Sequence, residues 1–305
     1  MAAVAREIGS RPGRSCPMAY RYSPRVFDRD PEIVAETLYV VGGLYGNVEA
    51  LEALHALVAR EAGGASIVFN GDFHWFDIAD RDFAAIEQGV SAHLALRGNV
   101  ETEIAGEESG AGCGCAYPAD VSDAVVSHSN EILGLLREAA RRCGGARERL
   151  ARLPMHLVAR VGDARVGIVH GDAVSLAGWG FASDRLADSA HDRWIESMLH
   201  EAHVDVFAST HTCLPALRRY QGGVIANNGA AGMPNFPVRA GLVTRIGRRA
   251  FGGAAAMTGA EVAGACVEIV PLEYDHERWV RRFLAAWPDG SPAHASYFAR
   301  IATAS

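Results

Sequence analysis

Short apolar runs alternate with longer stretches of helical spacing along most of this chain. Thr37 to Val41, Ser66 to Asn70, His93 to Leu96, Arg165 to Val169 and Asp205 to Ala208 are rich in Val, Ile, Leu, Phe or Ala. Each is bounded by Gly or polar residues, the pattern of buried strands. Val48, Leu51, Leu54 and Val58 recur at helical spacing and predict a helix from Val48 to about Arg60, which Gly63-Gly64 ends. His55 lies beside that stripe as a packed or solvated residue. A second predicted helix, about Ser129 to Arg142, puts Ile132, Leu135, Leu136, Ala139, Ala140 and Cys143 on one face, so Cys143 reads as core. Strands alternating with helices give an α/β fold.

Residues 1–36, with Pro12, Pro17, Pro24 and Pro31, read as an N-terminal arm. Residues 37–290 then form one domain, interrupted at about 101–121 by a Gly-rich, acidic insertion carrying Cys113-Gly114-Cys115, and 291–305 are a C-terminal tail. Gly252 to Ala256 reads as a flexible stretch. With 305 residues, 49% of them hydrophobic, the chain can bury a large core without a second domain.

The formal charge of −7 and the lack of a basic run give no indication of a nonspecific nucleic-acid or anionic-membrane surface, and leave room for a local cationic pocket for phosphate. No run of about 18 apolar residues occurs, and Met1 to Ala19 has no apolar stretch of signal-peptide length. A soluble cytoplasmic protein is expected. The irregular placement of the six Cys argues for reduced thiols.

The candidate chemistry stands just after the apolar runs. Gly71-Asp72, Gly98-Asn99, His170-Gly171 and Thr210-His211 follow one another along the chain, each offering a metal ligand at a strand end, so the four can converge on one crevice. With Gly43-Leu44-Tyr45-Gly46-Asn47, Gly98-Asn99-Val100-Glu101 and Ala208-Ser209-Thr210-His211, these stretches resemble the motifs of the calcineurin-like metallophosphoesterases. Asn227-Asn228-Gly229-Ala230-Ala231-Gly232 and Tyr274-Asp275 extend the resemblance, which spans roughly residues 38 to 285. It implies an αββα sandwich of two mixed β-sheets flanked by helices, with the ligand loops at one edge.

The chain departs from that family pattern at four positions. Gly43 and Tyr45 stand where the first motif has its Asp and His, Val100 where the catalytic His stands, and Ser209 where the last motif has its first His. The survivors are Asp72, Asn99, His170 and His211: two imidazoles, a carboxylate and an amide oxygen. That set suits a single divalent ion, Mn, Fe or Zn, with open positions for water or a substrate oxygen. Tyr45 as a phenolate ligand is disfavoured by the ordinary phenol pKa of about 10.

His74, two residues after Asp72, shares its face if the segment stays extended, and is then a replacement ligand or a catalytic acid; otherwise it is a loop residue solvated or stacked on Trp75. Asn47 at a helix start, and Asn228 with Gly229, lie on Gly-rich loops able to present N–H groups to a phosphate, although ordinary turns need the same residues. Cys113 and Cys115, joined by Cys16, are candidate soft-metal or redox thiols, but small loop residues without a ligand are the preferred reading. His200 and His203 read as a solvated helix face.

Two functions follow from the resemblance. The first is metal-dependent hydrolysis of a phosphate ester, by a phosphatase or phosphodiesterase acting on a phosphorylated small molecule or nucleotide. The second is a noncatalytic protein that keeps the fold to bind a metal, a phospho-ligand or a protein partner.

Overall fold

The computed structural model describes residues 12–106, 110–235, 238–252 and 256–303. The first eleven residues of the predicted arm, the centre of the Gly252 to Ala256 stretch and the last two residues lie outside that set.

In chain order the elements are β1 (Ile33–Ala35), β2 (Thr37–Val41), α1 (Val48–Val58), β3 (Ser66–Asn70), α2 (Asp80–Ser91), β4 (Leu94–Leu96), α3 (Asn99–Ala105), α4 (Asp123–Arg142) and α5 (Ala146–Ala151). They continue with β5 (His156–Val161), β6 (Ala164–Val169), α6 (Ser183–Ala187), α7 (Asp192–Ala202), β7 (Val206–Ser209), β8 (Ala216–Arg219) and β9 (Val224–Asn227). The last are β10 (Gly241–Gly247), β11 (Thr258–Val262), β12 (Ala265–Leu272), α8 (His276–Ala286) and α9 (Pro292–Thr303). Two six-stranded sheets result, ordered β1-β5-β6-β7-β9-β8 and β11-β12-β10-β2-β3-β4.

Strand periodicity explains the layering. In β2, Leu38 and Val40 pack with Val68 of β3 and with Val166, Ile168, Val206 and Ala208 of the other sheet, forming the core between the sheets. The alternate residues Tyr39, Val41, Ile67 and Phe69 turn the other way, onto a core shared with α1, α2, α4, α8 and α9. Phe207 and Val169 face outward from the second sheet toward α7. Because successive side chains of a strand point to opposite faces, near-continuous apolar runs are what two sheets covered on both sides require.

β2, β3 and β4 run parallel, as do β6, β7 and β9. Each set therefore delivers its carboxyl ends to one edge, where loops meet as in other open parallel sheets.

Several expected boundaries are corrected. The tail is a helix: Ala293, Tyr297 and Ile301, four residues apart, are buried, and α9 packs on α4. The described part of the arm also belongs to the domain, since Tyr20 and Phe27 are buried and β1 pairs with β5. The predicted 101–121 insertion begins inside α3, so its irregular part starts only after Ala105. The helix predicted from Ser129 begins at Asp123, where Ser122 caps it by accepting from Val125 N–H.

Candidate metal centre

The loop after β3 is built for close approach. Gly71 and Asp72 both have left-handed backbone, with φ of 73° and 50°. A Cβ on Gly71 would strike the amide of Gly98, and one on Gly98 would strike Asp72 Oδ1. Glycine at both positions lets the loops after β3 and β4 touch. Glu101, fully buried in the first turn of α3, then ties them together. Its carboxylate accepts from the N–H groups of Asp72 (2.7 Å), Phe73 (3.0 Å), His74 (3.3 Å) and Gly98 (2.8 Å). Burial and the nearby Asp72 push its pKa up to about 7 in spite of those donors.

Around this frame four acceptor atoms converge. Asp72 Oδ1 accepts from Val100 N–H at 3.1 Å, and Oδ2 lies 3.3 Å from His170 Nε2. His170 Nδ1 faces the Asn70 carbonyl at 3.0 Å. A carbonyl only accepts, so Nδ1 carries the proton and the Nε2 lone pair of a neutral ring points inward. His211 is held in the opposite sense: Nε2 donates to the Cys115 carbonyl at 3.1 Å, which leaves the Nδ1 lone pair 3.2 Å from His170 Nε2. Asn99 donates through Nδ2 to the Cys113 carbonyl at 2.9 Å and turns Oδ1 toward His170 Nε2 at 3.1 Å.

Ligand atoms of Asp72, His170 and His211 all lie within 4.8 Å of one another. Two inward nitrogen lone pairs, a carboxylate oxygen and an amide oxygen attract a cation and repel one another without one. Burial and then His170 push the His211 pKa down to about 3. Burial opposes charge on His170, but Asp72 and the Asn70 carbonyl outweigh it and raise its pKa. A divalent ion fits this donor set, with the outward hydrogen bonds orienting the ligands.

Over the cluster lies a cavity of about 60 Å³. Its wall includes Tyr45, Trp75, Tyr117, Trp179 and Tyr297, with the thiols of Cys115 and Cys213. Tyr45 Oη lies 2.8 Å from Cys213 Sγ. Burial, then Cys213 and Asp72, hold the Tyr45 phenol protonated far above its usual range, which disfavours it as a phenolate ligand.

Two expectations about site residues are corrected. His74 does not join the cluster: its ring is fully buried, Nδ1 bonds Asp77 at 2.6 Å, Nε2 bonds Glu87 at 3.1 Å, and it stacks on Phe83 at 4.0 Å. The left-handed Asp72 turns the chain, so the extended segment that would have aligned His74 with Asp72 does not form. Asn47, Asn228 and Gly229 do not present a phosphate nest. Asn47 caps α1 and bonds the Gly232 carbonyl, Asn228 Nδ2 bonds the carbonyls of Gly42 and Leu242, and Gly229 N–H donates to Asn227 Oδ1. The Cys113–Cys115 loop does cover the centre, but through its two carbonyls. Its thiols are buried, and Cys16 rests beside Ser175 at 3.4 Å.

Sequence reasoning missed the clamp by Glu101, the three positioning carbonyls of Asn70, Cys113 and Cys115, and the aromatic wall. Only Glu101 had a local signal, three residues after the Gly98 that precedes α3, the spacing at which an acidic side chain reaches back to the helix start.

No family model and no curated protein matches the chain. Among solved structures, a hypothetical protein from Pyrococcus horikoshii OT3 superposes with a TM-score of 0.59 at 17% identity, covering 87% of this chain and 98% of that one. A metallophosphoesterase from Sphaerobacter thermophilus gives 0.56 at 15% identity, covering 88% of this chain and all of that one. The fold is that of the calcineurin-like metallophosphoesterases. Within that fold the centre sits at the carboxyl ends of both parallel strand sets. No helix among the described residues is long and apolar enough to cross a membrane.

Proposed function

We propose that the protein hydrolyses a phosphate ester, using one divalent ion held by Asp72 Oδ2, Asn99 Oδ1, His170 Nε2 and His211 Nδ1. The observation that carries this reading is the pair of imidazoles whose outward N–H groups are committed to the Asn70 and Cys115 carbonyls. A bound divalent ion would acidify a water and polarise a phosphoryl oxygen. The chain's own residues do the rest. Asp72 is locked by Val100 N–H and the Glu101 clamp, which fixes its carboxylate before any ligand arrives. Aromatic rings border the cavity above the centre.

Val100 has no proton to give a leaving group. The protic side chains on the cavity wall include Tyr45 and Cys213, both held protonated by burial and both weak acids. General acid catalysis is typically worth about 10² to 10⁴-fold, so esters with good leaving groups are the expected substrates. The alternative, a noncatalytic metal-binding protein, uses the same centre and is favoured by the loss of the family's other ligands at Gly43, Tyr45 and Ser209.

Metal analysis of protein purified without chelator, with a panel of phosphodiesters and phosphomonoesters, tests the proposal. Bound metal with turnover supports it. Bound metal without turnover of any ester transfers the case to the noncatalytic reading, and a protein that takes up no Mn, Fe or Zn refutes both.

A further inference from the structure

Two of the chain's departures from the family motifs, Gly43 and Tyr45, form one structural unit. The loop after β2 runs beside the loop after β3 and is laced to it. Gly43 N–H donates to the Gly71 carbonyl (3.1 Å), Tyr45 N–H to the Asp72 carbonyl (3.1 Å) and Gly46 N–H to the Phe73 carbonyl (2.7 Å), while Phe76 N–H returns to the Tyr45 carbonyl (3.2 Å). These bonds hold Tyr45 at φ 54°, in the left-handed region that a bulky side chain rarely adopts. The ring then folds back over Gly43. A Cβ on residue 43 would stand 3.2 Å from Tyr45 Cζ, the carbon that bears the hydroxyl. The phenol thus takes the space into which a side chain at position 43 would grow.

Its hydroxyl rests on a weak partner. Cys213 Sγ lies 2.8 Å from Tyr45 Oη and 3.4 Å from the His211 carbonyl. A carbonyl only accepts, so the thiol hydrogen goes to His211 and the tyrosine hydrogen is left on sulfur, a poor acceptor. Other donors of the wall are committed to oxygen: Trp179 Nε1 donates to the Cys115 carbonyl at 3.2 Å, and Tyr117 Oη bonds Ser129 at 3.1 Å. Tyr45 and Cys213 both line the cavity, together with Asp72 and His211. An anionic oxygen arriving there is a far better acceptor than the sulfur it replaces.

Resting on the hydrolase reading above, we propose that Tyr45 is a catalytic residue whose hydroxyl donates a hydrogen bond to a non-bridging phosphoryl oxygen of the metal-bound substrate. The phenol keeps its proton throughout. Where the first motif of the family supplies metal ligands, this chain supplies a neutral donor.

Tyr45→Phe removes one oxygen and keeps the ring that packs over Gly43. The readout is binding of inorganic phosphate to Mn(II)-loaded protein, followed by water-proton relaxation, which reports displacement of water from the ion without turnover. The variant should take up Mn(II) as wild type does and bind phosphate about tenfold more weakly, the loss of one hydrogen bond to a charged group. Cys213→Ala separates the hydroxyl from the contact it makes at rest. It should bind phosphate no less tightly than wild type, because the tyrosine hydrogen then has no competing acceptor.

Equal phosphate affinity in wild type and Tyr45→Phe overturns the inference and leaves the hydrolase reading intact. So does a loss in Cys213→Ala as large as that in Tyr45→Phe, which would make the pair a packing contact, or a loss of Mn(II) from Tyr45→Phe, which would make the hydroxyl part of the metal centre. Wild-type protein that takes up no Mn(II), Fe(II) or Zn(II) overturns both.

Discussion

His170 Nε2 and His211 Nδ1 face each other at 3.2 Å, and neither neutral ring has a proton to give the other. Each has committed its hydrogen to a backbone carbonyl on its far side. The pair therefore needs something positive between its lone pairs: a metal ion, or in its absence an extra proton on His170, whose pKa is raised.

That relationship makes Asp72 the decisive ligand, since it supplies the negative charge of the cluster. Asp72→Asn keeps an acceptor for Val100 N–H and tolerates the left-handed backbone, so the fold should survive. Metal affinity should fall by at least about 100-fold, the upper end of what even outer partners of a ligand contribute. Titration calorimetry of wild type and variant checks this, and equal affinity would remove Asp72 from the centre.

Glu101 is predicted to matter for stability more than any exposed carboxylate. Glu101→Gln leaves one oxygen where two served four backbone donors, and its amide N–H groups meet N–H groups of the loop. A loss of about 2 to 4 kcal/mol is expected from orphaned, charge-assisted hydrogen bonds. Chemical denaturation measures it; a loss below 0.5 kcal/mol, roughly the effect of an ordinary surface change, would contradict the clamp.

For His74 the expectation is the reverse of a ligand's. His74→Gln should leave metal affinity within about threefold, while destabilising the fold by about 3 kcal/mol because Asp77 and Glu87 lose a buried charged partner. Parallel metal titration and denaturation separate the two effects, and loss of metal with an unaltered melting curve would restore His74 to the centre.

Acid sensitivity should trace partly to His156 on β5. Burial, then the adjacent Arg29 guanidinium, pushes its pKa down to about 4, against 6.5 in an unstructured chain. Between those values the unfolded chain binds a proton that the folded protein refuses, so stability falls as pH drops from about 6.5 to 4 and no further below. His156→Gln should flatten that part of the melting-temperature profile; an identical slope in the variant would discard the assignment.

Convergence of Asp72, Asn99, His170 and His211 is legible in the chain because each residue directly follows an apolar run, and parallel strands bring such ends to one edge. What was not legible depends on distant partners. His74 reads as a ligand until Glu87, from α2, closes on its second nitrogen, and no local spacing announces that contact. The Gly-rich loops at Asn47 and Asn228 have the composition of an anion nest, but their side chains and several of their N–H groups are consumed joining the loops to each other, as in Ala231 to Gly42 and Gly232 to Gly43. The last helix escaped notice because its buried stripe, Ala293, Tyr297 and Ile301, is narrow and begins with a residue as small as Ala.

Val100 helps to shape the centre through its backbone, with a side chain that has no proton to give. What position 100 gives Asp72 is its amide hydrogen, which any residue except proline supplies, while its side chain is buried in the core at the edge of the cavity. Architecture and reactivity are thus written on different atoms of one residue. A change of side chain there keeps the amide that anchors Asp72 but must still fill a buried position, so packing at position 100 and the hold on Asp72 can be altered separately.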